Sequence, residues 1–499
     1  MLTPPSEETR KERVVILGSG WAGYAFARTL DPAKFERVVV SPRSHFVFTP
    51  LLAGTAVGTI EFRAVLEPVR RLGAVTFHQG WADDVDFARK VVRVEPVVNP
   101  DAAELASHGL PPPPASTAPA AGPAAATADS TPPALLDVPY DKLVVAVGAY
   151  SQTFGIPGVR AHAHFLRDVP DARRIRLRVL SLFEASASPA RTDAERRRLL
   201  HFAVVGGGPT GIEFAAELHD LVHDDLARVY PALAPLARIT VYDIAPAVLP
   251  MFDRQLAAYA TELFRRQGID VRTRHHLEAL RPDPASPAAG LLLRFQEHGP
   301  DEVPAGMVVW STGLMQNPLV ERLADREFRM PEAGGGADRG AGRKTRLAKD
   351  ERTGGLVTDA HLRALVAGAP SLGPAPGAAV PGAVLPDVFV IGDCSVVEGN
   401  GALPKTAQVA SQQAAYLAKA LNKGKLDRAP FRFRDWGTMA YLGGWRAIHQ
   451  SRADEIKGRA AWVLWRTAYL TYSMSLRNKF MVPVYWLTSW LFGRDISRF

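Results

Sequence analysis

Two glycine-rich hexads, each set directly after an apolar β-branched run, constrain this chain more than any other feature. Gly18-Ser19-Gly20-Trp21-Ala22-Gly23 follows Val14–Leu17 and opens an apolar helical stretch from Ala22 to Leu30. Gly206-Gly207-Gly208-Pro209-Thr210-Gly211 follows His201–Val205 far along the chain. In the GxGxxG spacing the first glycine allows a tight turn, the second leaves room for a pyrophosphate, and the third lets helix pack on strand. The helix N-terminus then offers free N–H groups and a positive dipole to phosphates. One such hexad can be a mere glycine turn. Two in tandem, each between strand and helix, predict two dinucleotide sites.

The remaining apolar runs suggest how the two units are nested. Strands are expected at Val14–Leu17, Arg37–Val40, Lys142–Val147, His201–Val205, Arg238–Tyr242, Met307–Trp310 and Val388–Ile391, alternating with helical patterns as parallel α/β units do. The run Tyr140–Ala149 ends in a small-residue turn at Gly148, where the chain leaves the first unit. Met307–Gly313 repeats that design at the close of the second. Val388–Asp393 then returns to the first unit, with Gly392 and Asp393 at a strand mouth where a ribityl hydroxyl needs an acceptor. Helix capping is the other reading of Asp393. The fold class predicted is α/β, two nested Rossmann-like domains followed by a C-terminal amphipathic helical region. The expected boundaries are 1–165 and 331–430 for the first, FAD-binding domain, 166–330 for the NADH-binding domain, and 431–499 for the tail.

The two sites differ where the second strand ends. Arg238–Tyr242 leads into Asp243, an acceptor suited to an adenosine ribose. A carboxylate there repels a 2′-phosphate, so NADH is expected to be preferred over NADPH; an ordinary turn residue is the alternative. The first unit has Ser41-Pro42-Arg43 in place of the acid. Glu213, two residues past Gly211, is by itself compatible with a first-turn helix acid.

Composition narrows the function classes. A chain of 499 residues is too long for one ordinary core. The single cysteine, Cys394, excludes an intramolecular disulfide and a CxxC pair, so electrons do not leave through a protein dithiol. The net charge of +8 suits an anionic partner surface, with a soluble basic enzyme as the plain alternative. No apolar run reaches membrane-spanning length. The start, MLTPPSEETRKER, reads neither as a secretory signal nor as a typical transit peptide. Pro100–Ala134 is almost entirely Pro, Ala, Ser and Thr and is expected to be disordered. Shorter insertions are expected near Pro282–Gly290, Pro331–Arg343 and Ala367–Pro386. No calcium-loop pattern occurs in them, and no metal is expected.

Six of the nine tryptophans fall at or after Trp436, and Trp462, Trp465, Tyr469 and Tyr472 recur at helical spacing. From Ser451 to Phe499 there are eight Lys or Arg against three Asp or Glu. An aromatic face with basic flanks reads as an interfacial, monotopic helix. A core helix of a soluble dimer is the rival reading.

By these features the chain resembles the pyridine-nucleotide–disulfide-reductase-like flavoproteins. More narrowly it resembles the type II, or alternative rotenone-insensitive, NADH:ubiquinone oxidoreductases of fungal mitochondria. The likeness runs from about Val14 to Phe499 and is most specific at Ser41–Leu52, Gly58–Glu61, Ala407–Gln412, Ala440–Gly443 and Leu464–Leu470. The Ser41-Pro42-Arg43 departure is shared with that branch. The resemblance implies FAD and NADH as cofactors, a homodimer, and peripheral attachment to the mitochondrial inner membrane, with ubiquinone as electron acceptor. It implies that Thr49 and Pro50 lie against the isoalloxazine, with Gly392 and Asp393 on the ribityl chain. Glu213 would stand near the nicotinamide–flavin stack. Gln408 and Gln412 would line a quinone tunnel, and Trp465 and Tyr469 would flank its opening. A spacing of four puts both glutamines on one helix face, where surface glutamines are the alternative. Ser411 stands where some relatives have histidine. Two other functions compete: a soluble NAD(P)H-flavin reductase with another acceptor, and an apoptosis-inducing-factor-like NADH-dependent signalling flavoprotein. No nucleic-acid partner is expected.

Overall fold

Four consecutive fully buried residues, Val14 to Leu17, make the first strand the spine of the molecule. In the computed structural model, residues 10–97, 135–286, 290–330, 344–367, 384–399, 403–452, 454–473 and 475–497 are described. Of the low-complexity stretches named above, Pro100–Ala134 and Pro331–Arg343 lie outside the described residues, as do 368–383, whereas only 287–289 of Pro282–Gly290 do.

The first unit contains β1 (Glu12–Leu17), α1 (Trp21–Thr29), β2 (Phe35–Ser41), α2 (Leu52–Ala56), β3 (Val75–Asp86), β4 (Val91–Pro96), β5 (Leu136–Pro139) and β6 (Lys142–Val145). β7 (Ala149–Ser151) leads out of it. The second unit contains β8 (His164–Phe165), α3 (Val169–Ser186), β9 (His201–Val205), α4 (Pro209–Asp220), β10 (Arg238–Asp243), β11 (Ile269–Thr273) and β12 (Met307–Trp310). β13 (Leu314–Gln316) pairs antiparallel with β7, so the chain leaves and re-enters the first unit side by side. The return supplies β14 (Leu356–Thr358), β15 (Arg363–Leu365), β16 (Val384–Val390), β17 (Ser395–Val397) and α5 (Ala407–Asn422).

The large sheet runs β17-β14-β15-β16-β6-β1-β2-β3-β4-β5, and the second runs β8-β12-β9-β10-β11. In the first, β16, β6, β1 and β2 are parallel neighbours; in the second, all neighbours are parallel. Val390 and Val145, far apart in sequence, therefore lie in register on neighbouring strands. This is the nesting that the segment order predicts. A parallel sheet binds ligands in the crevice beyond its strand carboxyl ends, where the chain order reverses.

Two expected boundaries shift. The strand expected at Lys142–Val147 stops at Val145, and Gly148, at φ +66°, turns the chain just beyond. β16 starts at Val384, so Val384–Pro386 belongs to the sheet and not to the insertion; Val384 pairs with Leu365.

The tail adds an antiparallel sheet, β18 (Thr438–Tyr441), β19 (Ala447–Gln450) and β20 (Glu455–Gly458), followed by α6 (Arg459–Tyr472) and α7 (Leu476–Phe492). β18 lies against α4, which fastens the tail to the second glycine-loop helix. No helix among the described residues is long and apolar enough to cross a membrane.

Candidate functional site

The first glycine loop begins where β1 ends. Gly18 has φ +108°, and a Cβ there would stand 2.4 Å from the Ala146 carbonyl oxygen. Its N–H donates to Val40 O at 2.8 Å, tying the turn to β2. A Cβ on Gly23 would stand 2.0 Å from Gly18 O, so only glycine lets α1 approach β1 this closely. Gly20 faces open space and caps α1 with no side-chain hydrogen bond. The first N–H groups of the helix are thus left to a cavity of about 480 Å³.

The cavity walls come from both halves of the first unit. Ser41 pairs its hydroxyl with Ser19 at 2.9 Å and accepts the Arg43 N–H at 3.2 Å. A hydroxyl network therefore occupies the strand end where other dinucleotide sites carry an acid. The Arg43 guanidinium lies 3.3 Å from Asp168. Thr49 Oγ1 accepts the indole N–H of Trp21 at 3.0 Å, which fixes its hydroxyl at the cavity wall. Gly148 and Gly392 both have positive φ, and Gly392 N–H donates to Gln413 Oε1 at 2.6 Å. Asp393 lines the same cavity; burial raises its pKa while Arg167 and Lys405 pull the other way. Arg167, Lys405 and Gln413 were not legible as site residues. Arg167 follows no motif, and Gln413 is merely the buried neighbour of a more conspicuous glutamine. A helix N-terminus, two cations and an acid at the strand mouth fit a flavin dinucleotide.

The second loop repeats the first almost atom for atom. Gly206 has φ +115° and donates its N–H to Tyr242 O at 2.8 Å, and a Cβ on Gly211 would stand 2.0 Å from Gly206 O. Gly208, like Gly20, faces open space. Asp243 accepts the N–H groups of Gly207 and Ala245, at 2.5 and 2.7 Å. The carboxylate is thus an anchor of the loop as well as a group at the strand end, and its remaining lone pairs are available to a ribose. Gly313, at φ +76°, turns beneath Phe154 at the close of β12. Thr210 and residues 310–314 also line the 480 Å³ cavity, which therefore reaches from the first loop to the edge of the second.

Glu213 points away from its own loop and into the tail. Its Oε1 accepts the Tyr441 N–H at 3.0 Å and the Trp465 indole N–H at 3.2 Å. Burial pushes its carboxyl up to about 8. Pro50, Glu213 and Trp465 line one small void, which brings Pro50 together with the tail. Tyr469 stands edge-on to Trp465 and to Phe48, with ring centroids 4.8 and 6.2 Å away.

Two expectations are corrected. Gln408 and Gln412 do not present free amides. Gln408 exchanges hydrogen bonds with Trp436 N and Gly437 O, and Gln412 with Arg434 N and O. Unpaired peptide groups of the 434–437 segment claim both side chains. The aromatic face of α6 is not its outward face either. Trp465 is buried, and Trp462 packs against Trp445 with its ring tilted by 43°. The exposed apolar stripe belongs instead to α7, at Leu476, Phe480, Val484, Leu487 and Leu491.

A family model described as pyridine nucleotide-disulphide oxidoreductase matches residues 12–336, and one described as NDH2 C-terminal domain matches residues 436–495. The "Probable NADH dehydrogenase" of Dictyostelium discoideum is 35% identical over 494 residues, covering 98% of this chain and 91% of that protein. The "Internal alternative NAD(P)H-ubiquinone oxidoreductase A1, mitochondrial" of Solanum tuberosum is 34% identical over 522 residues, covering 99% and 89%. Among solved structures, NDH2 from Plasmodium falciparum in complex with NADH matches with a TM-score of 0.76 at 21% identity, covering 98% of this chain and 100% of that one.

Proposed function

The chain belongs to the pyridine nucleotide-disulphide oxidoreductases, in the NDH2 branch of alternative NADH dehydrogenases, and on that premise we propose that it moves electrons from NADH to ubiquinone in mitochondria without pumping protons. The observation that carries this reading is one cavity lined by the first glycine loop, by Thr210 of the second and by Asp393, with the NDH2 tail lining a separate small void beside Pro50 and Glu213. Bound flavin supplies two-electron redox chemistry that amino-acid side chains lack.

The protein's own part is binding, orientation and exclusion of water. The α1 N-terminus and Arg43 hold a pyrophosphate and its ribose, while Asp393, steadied by Arg167, accepts from a ribityl hydroxyl. The α4 N-terminus holds the pyrophosphate of NADH, and Asp243 accepts from its ribose and disfavours a 2′-phosphate. Thr49 and Pro50 shape the ring site. Gln408 and Gln412 act by clamping the 434–437 segment beside a quinone passage whose inner wall includes Trp465 and Tyr469.

The α7 stripe supports attachment to one membrane leaflet: Phe480 is 73% exposed and Leu476 76%, and Arg477 and Lys479 stand beside them. The resemblance to alternative dehydrogenases adds a homodimer, which sedimentation in mild detergent tests. Steady-state NADH oxidation with a short-chain quinone, with and without lipid, tests the whole reading. Oxidation that proceeds equally well without quinone would favour a flavin reductase with another acceptor.

A further inference from the structure

Among the described residues, the cations that line the flavin cavity are Arg43, Arg167 and Lys405, and they are not held alike. Arg43 lies against the Asp168 carboxylate at 3.3 Å. Arg167 donates to the Ala149 carbonyl oxygen at 3.0 Å. Lys405 donates from Nζ to the Ser395 carbonyl oxygen at 2.6 Å, and no carboxylate among the described residues stands within ion-pair distance of it. A half-buried ammonium that touches only a neutral oxygen keeps a charge that nothing in contact offsets.

The position of Lys405 in the chain makes this harder to explain as packing. It directly precedes Thr406, which caps α5 by accepting the Val409 N–H at 3.4 Å. A helix N-terminus carries partial positive charge, so a cation there is locally unfavourable. The first turn of α5 has no acid to compensate. A residue that breaks a local rule without a local gain marks a functional demand. The side chain is nonetheless well placed: Ser395 Oγ donates to Gly392 O at 2.9 Å, which fixes the segment that holds Nζ.

A flavin dinucleotide offers two anions to such a charge. Its pyrophosphate is charged in both redox states, and the α1 N-terminus and Arg43 already serve it. Its ring becomes charged only on reduction. Lys405 lines the cavity together with Thr406 and Ala407 of α5 and with Val47 and Thr49, the side assigned to the ring. We propose that Lys405 is the counter-charge of the reduced flavin ring and thereby sets the flavin's reduction potential, an inference that rests on the flavin reading above.

Hydride transfer breaks a C–H bond of NADH, forms an N–H bond on the ring and leaves NAD⁺. The two electrons and one proton so delivered give the ring one negative charge, and no proton is drawn from the medium in that step. Lys405 neither gains nor loses a proton; its fixed ammonium favours the new charge more strongly in a water-poor cavity than it could in water. Burial lowers the pKa of Lys405, while Cys394, Asp393 and Asp350 hold it up and Arg352 opposes them.

Only an interaction that differs between the two redox states can move a potential, and by linkage the shift equals the ratio of the two flavin affinities. The test uses the full-length protein with its Lys405→Gln, Lys405→Met and Lys405→Arg variants. Fluorescence titration of each flavin-stripped protein gives the affinity for oxidised FAD, and anaerobic titration of each loaded protein against a reference dye gives the potential. The two neutral variants are expected to bind oxidised FAD as the wild type does. Their potential is expected to fall by about 30 mV, about tenfold for a two-electron couple. Lys405→Arg should stay close to the wild type. Neutral variants that lose oxidised and reduced FAD alike, with the potential unchanged, overturn the proposal, as do neutral variants that hold no oxidised FAD. A wild type that binds no FAD overturns the flavin reading itself.

Discussion

Trp465, on the first tail helix, donates its indole N–H to Glu213, on the second glycine-loop helix, at 3.2 Å. This bond joins the nucleotide domain to the tail at a carboxyl that burial has raised to about 8. It also favours the charged form, since a donor to a carboxylate lowers its pKa. Trp465→Phe removes the donor while keeping an aromatic ring. The variant is expected to move the alkaline limb of quinone turnover to higher pH, and a pH series of kcat checks it.

The same carboxyl makes stability depend on pH. Its folded pKa lies above the unfolded value, so its contribution is complete below about pH 4.5 and is lost as pH rises through about 8. Glu213→Gln cannot lose that proton. Between pH 5 and 9 on the experimental scale, the wild-type Tm is expected to fall by about 2 °C or more relative to the variant. Calorimetry of both proteins in matched buffers reads the difference.

The glycine loops give a paired prediction. Gly23→Ala drives a Cβ into Gly18 O, and Gly211→Ala drives one into Gly206 O. The first variant is expected to lose flavin on purification. The second is expected to stay yellow but bind NADH at least about tenfold more weakly, about 1.4 kcal/mol. Flavin absorbance and the NADH dependence of bleaching separate the two.

Those loops were legible because turn geometry leaves so few residues to choose from. Gly18, Gly23, Gly206 and Gly211 are each fixed by a carbonyl that a Cβ would strike. Strand positions were legible from β-branched runs for the same local reason. The burial of Glu217 and Asp220 was not, because both read as ordinary polar helix positions until β18 packs against their helix. Gln408 and Gln412 misled because a free amide and one clamping a distant peptide look identical in sequence. Tryptophan spacing on α6 likewise indicates a face but not what that face meets.

Asp243→Asn tests nucleotide choice. Removing the charge is expected to raise the NADPH-to-NADH ratio of kcat/KM several-fold, about 1 kcal/mol. The asparagine oxygen can still accept from only one of the two N–H groups that the carboxylate now holds, so NADH affinity should fall as well.

Membrane attachment is expected to rest on α7. Replacing Phe480 and Leu487 with serine removes two exposed apolar groups, each worth about 1.5–3 kcal/mol when buried in lipid. Flotation with vesicles containing anionic lipid should drop in the double variant, and added salt should weaken the wild type without releasing it. Equal flotation of both proteins would move the contact elsewhere.

The most direct test of electron passage from NADH through one flavin to quinone is a sequential-mixing stopped-flow experiment on the full-length protein. NADH alone should bleach the flavin absorbance, and a short-chain ubiquinone added next should restore it much faster than air-saturated buffer does. A flavin that bleaches but returns at the same rate with quinone as with oxygen would contradict the account.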